Sequence, residues 1–426
     1  MRHYLFAQIL IWFMIHSITM TAQGSETFTM PDDLKKQSYE SAIRVADWMV
    51  RNQVSDPYDA NYGRLMVTYD VKQKKVGRYA PNWMQGVSIM GLLMTYHRTG
   101  DKKYLEAAER AGQYIKDLQI LDNRKPEYYG AFREDTAHSP WCHPRDALTG
   151  ALGLLWLYEE KKDPEYLERI KLFNKWFFEQ AMAKGWPLWT YHFDGRPHIY
   201  LQGSFHGGDG VYFYDYWRIT GDESCLEKGL KFIVDYTYDK FLLADGKIRV
   251  IYDAEKGEYL EDGKTQAGMQ IMHRHNDDFM SISFLDAYIK FGYKKYLDRA
   301  EAYAKWLMSE QREDGGFGKP DVPPAAPVGS NFLLELYKIT KKPEYIQSAI
   351  KGVEYILTQQ ETDQSDMKAY GGFYGYGNNW SSETKDTLNL RTSAYALIFL
   401  LKIEGKESGP YYSPFDRDSK LPKNKE

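Results

Sequence analysis

The sequence predicts an all-α chain, an (α/α)6 toroid of six inner/outer helical hairpins with long loops at the inner-helix N-terminal face. Two observations predict it. A short unit recurs along the chain, and each copy opens an amphipathic helix. Before each copy, after a turn, stands a segment of another kind, apolar on nearly every face and rich in Gly, Ala and Ser. A helix apolar all round is buried all round. These segments therefore make the inner ring, and the amphipathic helices wrap it.

The elements follow in order. Leu34 to Asn52 reads as the first outer helix, with apolar residues at i, i+3/i+4, i+7 spacing. Inner segments then begin near Gly86, Ala147, Gly210, Phe279, Asn331 and Ser393. The recurring unit opens the outer helices: Gly100-Asp-Lys-Lys-Tyr104-Leu105, Asp163-Pro-Glu-Tyr166-Leu167, Gly221-Asp-Glu-Ser-Cys225-Leu226, Gly292-Tyr-Lys-Lys-Tyr296-Leu297 and Lys342-Pro-Glu-Tyr345-Ile346. A repeat of roughly 50–70 residues marks a helical-hairpin array. Closure follows if the last inner helix lies beside the first outer one. An open solenoid is the alternative, but it needs polar caps, and neither end carries one.

Residues 1–24 read as a signal peptide. Arg2 and His3 are basic, Tyr4 to Ile15 is apolar, and Thr19 to Gly24 is small and polar with Ala22 as a candidate cleavage site. The expected location is secreted or periplasmic. No run is long enough to span a bilayer comfortably. Residues 25–410 form the expected catalytic domain, and 411–426 a polar tail.

Composition narrows the function. Lys+Arg number 55 against 59 Asp+Glu, a net charge of −4, which argues against nucleic-acid binding. Two Cys exclude a disulfide scaffold and a Cys-rich zinc module. Aromatic residues make up 15% although mean hydropathy is −0.60, as suits a protein that stacks flat, wet ligands.

The stretches 54–81, 122–144, 184–203, 242–275, 314–327 and 362–390 link outer to inner helices. They are dense in Tyr, Trp, Gly and Asp, and all lie at one end of the ring. Long loops in a compact domain carry function. His143, His206, His273 and His275 fall there, with Arg145, Arg274 and Arg391. Asn82, Ser204, Asn276 and Asn389 stand at helix starts, and Asp146, Asp277 and Asp278 in first turns, where capping alone explains them. Caps require neither His nor Arg. Six helix N-termini also make this face electropositive.

Three chemistries fit. The first is β-elimination on a uronic acid: Arg neutralises the carboxylate, a His or Tyr removes the C5 proton, and a second protonates the departing oxygen. The candidate catalytic residues are His143, His206, His273, His275 and Asp209. The candidate substrate-binding residues are Trp83, Trp141, Arg145, Asp146, Arg274, Asn276, Asp277, Tyr376, Trp380 and Arg391. The second is glycoside hydrolysis by mouth carboxylates such as Asp146, Asp209, Asp277 and Asp278. The third is metal use at His273-x-His275, which lacks helical ligand spacing; no metal and no cofactor is expected. A non-catalytic glycan-binding protein would need the aromatics but not the His/Arg convergence. The expected partner is an acidic oligosaccharide, with no nucleic acid. Oligomeric state is not readable.

With its repeat pattern and the Gln311-Arg-Glu-Asp-Gly-Gly-Phe-Gly318 turn, the chain resembles the six-hairpin superfamily of carbohydrate-active enzymes over most of residues 33–404. That superfamily includes unsaturated glucuronyl and rhamnogalacturonyl hydrolases, polysaccharide lyases, uronate-oligosaccharide dehydratases and sugar epimerases. The resemblance implies a glycan-degrading enzyme. The motif expected around the catalytic Asp of the unsaturated uronyl hydrolases is not found, which tilts the expectation to elimination, by a lyase or a dehydratase giving a 4,5-unsaturated uronate.

Overall fold

The computed structural model describes residues 30–260, 274–275, 279–319, 321–376, 383–405 and 425. From Asp32 onward they form one compact unit. Its outer helices are α1 (Asp32–Arg51), α3 (Lys102–Asp117), α5 (Pro164–Trp176), α7 (Phe232–Lys240), α9 (Lys294–Ser309) and α11 (Pro343–Thr358). The inner ones are α2 (Asn82–Thr99), α4 (Pro144–Lys161), α6 (Asp209–Thr220), α8 (Met280–Phe291), α10 (Ala325–Thr340) and α12 (Leu390–Glu404). Single turns of π-helix, Phe177–Ala181 and Leu226–Lys231, extend α5 and precede α7, and a 3₁₀ turn, Ser204–Gly208, leads into α6.

The inner helices close a ring. Each packs on the next, and α12 returns to α2 and also covers α1. This is the (α/α)6 toroid, and the open solenoid is excluded. The cause lies in the sequence: Asn82 through Thr95 of α2 is buried without interruption, whereas α3 buries only one stripe. Inner helices end on left-handed residues at Gly100, Lys162, Gly221, Gly292, Lys341 and Gly405, each opening the short turn to its outer partner.

The outer ring is sewn by one repeated device. A glutamine just beyond an outer helix donates through Nε2 to a loop glycine carbonyl and to a carbonyl of the following outer helix. Gln53 serves Gly63 and Ala107, Gln119 serves Gly130 and Arg169, and Gln311 serves Gly315 and Ser348. Gln360 serves Gly371 and Ser41, which returns the stitch to α1. The glycine is obligatory. Gly315 has φ +93, and a Cβ there would lie 2.0 Å from the Lys351 carbonyl oxygen. The Gly-Gly-Phe-Gly turn thus has an architectural role.

At the C-terminal ends of the inner helices, ion pairs bridge neighbours. Arg98 of α2 makes a two-pronged pair with Glu404 of α12, both bonds 2.8 Å. Arg218 of α6 does the same with Glu159 of α4 at 2.6 Å. Lys402 of α12 meets the fully buried Glu335 of α10 at 3.0 Å.

The loops at the N-terminal face are less irregular than their composition suggests. Short antiparallel strands organise them: β1 (Thr68–Asp70), β2 (Lys75–Val76), β8 (Tyr374–Tyr376) and β9 (Glu383–Asn389) in the order β2-β1-β9-β8. β3 (Trp141–Cys142) pairs with β4 (Tyr191–His192), and β5 (Leu201–Gly203) with β6 (Ile251–Asp253) and β7 (Glu258–Tyr259). Apart from the seven-residue β9, these strands are two or three residues long and give no alternation to read. Two of the four expected helix caps also differ. Asn389 does cap α12, accepting from the Arg391 N–H at 2.8 Å. Asn82 instead lies inside α2 behind Pro81, and its Nδ2 donates to the Arg133 carbonyl at 3.0 Å. Ser204 opens a 3₁₀ turn without a side-chain cap. Asn276 lies outside the described residues.

Candidate active site

The site gathers at the starts of α4 and α6. His143 is the N-cap residue of α4, placed by the β3–β4 pairing of Cys142 with Tyr191 and by Pro144 at the first helical position. Its Nδ1 lies 2.7 Å from the Trp189 carbonyl oxygen and 3.2 Å from Thr190 Oγ1. A carbonyl only accepts, so Nδ1 carries the proton and Nε2 keeps its lone pair. The ring packs edge-on to Trp141, centroids 4.8 Å apart. Burial pushes the His143 imidazole below its ordinary pKa, outweighing the opposing charge of Asp146. His143 is therefore a neutral imidazole with Nε2 set as an acceptor.

His206 sits in the 3₁₀ turn before α6, and Asp209 begins that helix. His206 Nδ1 and Asp209 Oδ2 are 2.9 Å apart, and each residue is at most 3% exposed. Burial raises the Asp209 carboxyl, while His206 and Arg145 oppose that shift. Among the described residues, His206 Nε2 is buried with no hydrogen-bond partner. A buried imidazole nitrogen without a partner calls for an explanation. His143 and His206 are close enough to influence one another electrostatically, as are Asp209, Arg145 and Asp146.

Two guanidinium groups share one indole. Arg145 of α4 and Arg391 of α12 have Cζ 5.6 and 5.1 Å from the Trp83 ring of α2. Both are buried, and Arg145 Nη1 donates to Asp146 Oδ1 at 3.1 Å. Three inner helices therefore bring two cations and an aromatic face together beside the His pair.

Other expected residues are placed differently. His275 faces the outer ring: its Nε2 meets Glu310 at 3.4 Å, and its ring packs on Trp306, centroids 5.1 Å apart. Arg274 donates to the Ile248 carbonyl, and its own carbonyl accepts from Tyr303. These contacts seat both residues against the outer helix α9 and the loop before it. His273, Asn276, Asp277, Asp278, Trp380 and the side chain of Tyr376 lie outside the described residues. Among the described residues, no group of three or more His, Cys, Asp or Glu side chains could hold a metal ion. Cys142 and Cys225 are buried free thiols, and burial pushes the Cys142 thiol well above its ordinary range.

Sequence reasoning missed Glu134. It is 3% exposed and accepts from the His143 backbone N–H through Oε2 at 2.8 Å. Burial, and after it the charge of Asp146, push its carboxyl well above the usual range. In the sequence it stands in a polar loop beside Asp135, which reads as a solvated acidic pair. The Trp189 carbonyl was equally hidden, since a backbone group leaves no mark in composition.

Fold and site together define an (α/α)6 toroid with an imidazole–carboxyl–guanidinium cluster at the inner-helix N-termini. No protein-family model matches the chain. Solved structures share its fold. The unsaturated glucuronyl hydrolase of Bacillus sp. GL1 is 17% identical, covering 89% of this chain and 99% of that one, with TM-score 0.67. A sugar epimerase from a ruminal bacterium is 12% identical, covering 87% and 99%, with TM-score 0.65. A GH76 α-mannanase of Bacteroides thetaiotaomicron is 14% identical, covering 86% and 95%, with TM-score 0.63. At such identities the likeness establishes the fold.

Proposed function

We propose that this chain is a glycan-processing enzyme that acts on uronic-acid-containing oligosaccharides by β-elimination. The observation that carries the reading is the pair of imidazoles with committed Nδ1 atoms, His143 on the Trp189 carbonyl and His206 on Asp209. Each leaves Nε2 as its reactive nitrogen, beside two buried arginines. That the structures sharing its fold are carbohydrate-active enzymes supports the substrate class.

In this reading Arg145 and Arg391 neutralise the uronate carboxylate, which makes the C5 proton removable. His143 Nε2 takes that proton. The C5 electron pair forms the C4–C5 double bond as the C4–O bond breaks. His206 Nε2 delivers a proton to the departing oxygen, with the Asp209 carboxylate stabilising the imidazolium. The products are a 4,5-unsaturated uronate and an alcohol, or water where the C4 oxygen is a free hydroxyl.

One observation favours a second reading, glycoside hydrolysis. Burial pushes the Glu134 carboxyl well above the usual range, and a carboxyl that keeps its proton can serve as general acid. One experiment separates the two. Uronate oligosaccharides are incubated with the protein and followed by near-UV absorbance and mass spectrometry. New absorbance with chain scission or loss of water supports elimination. Scission with water added and no new absorbance, or loss of existing unsaturation, overturns it in favour of hydrolysis. Binding without turnover, unaltered by His143→Ala and His206→Ala, overturns both in favour of a glycan-binding protein.

We also propose export, on the basic–apolar–small layout of residues 1–24. N-terminal sequencing of the mature protein tests it, and a retained Met1 overturns it.

A further inference from the structure

We propose that Trp189 and Phe205 are positioning residues of this site: their edge-to-face contact is a brace that fixes the His143 imidazole against the turn carrying His206. The kinetic consequences rest on the elimination reading; the brace itself does not.

Trp189 touches His143 twice. Its carbonyl oxygen lies 2.7 Å from His143 Nδ1, and its indole stands edge-on to the imidazole, centroids 6.4 Å apart. The same indole meets the Phe205 ring at 4.9 Å, crossed at 80°. Phe205 in turn lies against His206, centroids 5.0 Å apart. His143, Trp189, Phe205 and His206 thus form a file of rings that joins the two imidazoles. Crossed rings set the positive edge of one on the negative face of the other, so their contact has a preferred geometry that aliphatic packing lacks.

Both ends of the brace are held. On the Trp189 side, Thr190 pairs with Ile199, and the Trp189 N–H donates to the Ile199 carbonyl at 3.2 Å. On the Phe205 side, the Ser204 N–H donates to the Val250 carbonyl at 2.9 Å. A Cβ at Gly207 would lie 2.5 Å from Met280 Cγ, so the turn cannot retreat towards α8.

Gly203 gives the brace its room. Its φ of −123 and ψ of 141 are extended backbone that any residue adopts, so the glycine answers no need of the main chain. A Cβ there would lie 2.2 to 2.8 Å from three carbons of the Phe205 ring, and an alanine would therefore displace that ring. On the elimination reading, two imidazoles serve one sugar and must keep their spacing, since misplacing a reacting group by about 1 Å costs about 10²-fold in rate. A brace of rings holds that spacing without adding charge to the site.

The test uses the full-length protein with Phe205→Leu, Phe205→Ala, Gly203→Ala and the double variant Gly203→Ala/Phe205→Ala. Phe205→Leu keeps apolar bulk at a buried position while removing the ring, and it carries the test if Phe205→Ala fails to fold. Histidine ring nitrogens are followed by nitrogen NMR at about pH 8, above the ordinary imidazole range. The His143 signals are identified by their loss in His143→Gln. The natural protein should show His143 fixed with its proton on Nδ1. Phe205→Leu and Gly203→Ala should each move it towards an average of the two tautomers, although neither alters the Trp189 carbonyl or Thr190 Oγ1 that meet Nδ1. Unmoved His143 signals, or a natural His143 protonated on Nε2, overturn the brace. Once Phe205 is replaced by Ala, adding Gly203→Ala should shift the signals no further; an additive shift overturns the role of Gly203. In kinetics, Phe205→Leu should lower kcat by about 10²-fold with KM nearly unchanged. A rise in KM alone means that Phe205 binds substrate, and overturns the positioning role. If no uronate is turned over, the elimination reading fails, while the nitrogen signals still decide the brace.

Discussion

At the scale of single residues, the site is a matter of which nitrogen carries a proton. His143 is tied by Nδ1 to a backbone carbonyl, and His206 by Nδ1 to Asp209. Burial lowers His143, so its base form persists to lower pH than an ordinary imidazole, whose value is 6.5. The acid limb of kcat/KM should accordingly lie below pH 6.5, where Nε2 finally protonates. A limb at or above that value would remove His143 from the base role. His143→Gln should lower kcat by about 10²-fold or more while unfolding at nearly the natural temperature. Asp209→Asn keeps the shape of the dyad but can no longer support an imidazolium, and a loss on the order of 10²–10⁴-fold in kcat is expected. A kcat within tenfold of natural would mean that Asp209 only packs. The placement of His143, Arg145, Asp146, His206 and Asp209 was legible because they stand directly before or within the first turn of buried helices, where periodicity gives their end of the ring. Glu134 was not, because a long loop has no periodicity.

At the scale of elements, the glutamine–glycine stitch sets how outer helices follow one another. Gln360 Nε2 bridges Gly371 and Ser41, and its Oε1 accepts from Ser41 Oγ at 2.8 Å and from Arg44 Nε at 3.0 Å. Gln360→Ala removes all four bonds at a buried position. It should destabilise by about 2–3 kcal/mol, the cost of stranded buried carbonyls. Gly315→Ala should do comparable harm through its left-handed φ and its contact with the Lys351 carbonyl. Urea unfolding checks both, and effects under about 0.5 kcal/mol, the range of surface substitutions, would mean that the stitch is incidental. The Gln311 to Gly318 copy was visible as a motif. The equivalence of Gln53, Gln119 and Gln360 was hidden, since their partners lie 10 to 319 positions away.

At the scale of the molecule, stability depends on closure. α12 packs on both α1 and α2, and Arg98 clasps Glu404 across that seam. Arg98→Ala leaves a largely buried carboxylate at the seam and should cost about 3 kcal/mol, in the range for breaking a buried pair. A chain ending before Leu390 removes α12 and with it the cover of two helices. It should lose cooperative unfolding altogether, whereas an open array would shorten and still fold. Circular dichroism through a urea titration tells these apart.

Local pattern was enough for the ring, its inner and outer members and the end at which the loops gather. Burial on all faces versus one face is written into helical periodicity, and periodicity is a property of neighbouring residues. Contacts between distant segments settled the rest. The Trp189 carbonyl chose the His143 tautomer, the outer helix α9 packs against His275 and Arg274, and Glu134 reached the His143 N–H only through the folding of a loop. Proton positions and charge pairing depend on distance in space and on exclusion of water, and neither exists until the chain has closed on itself.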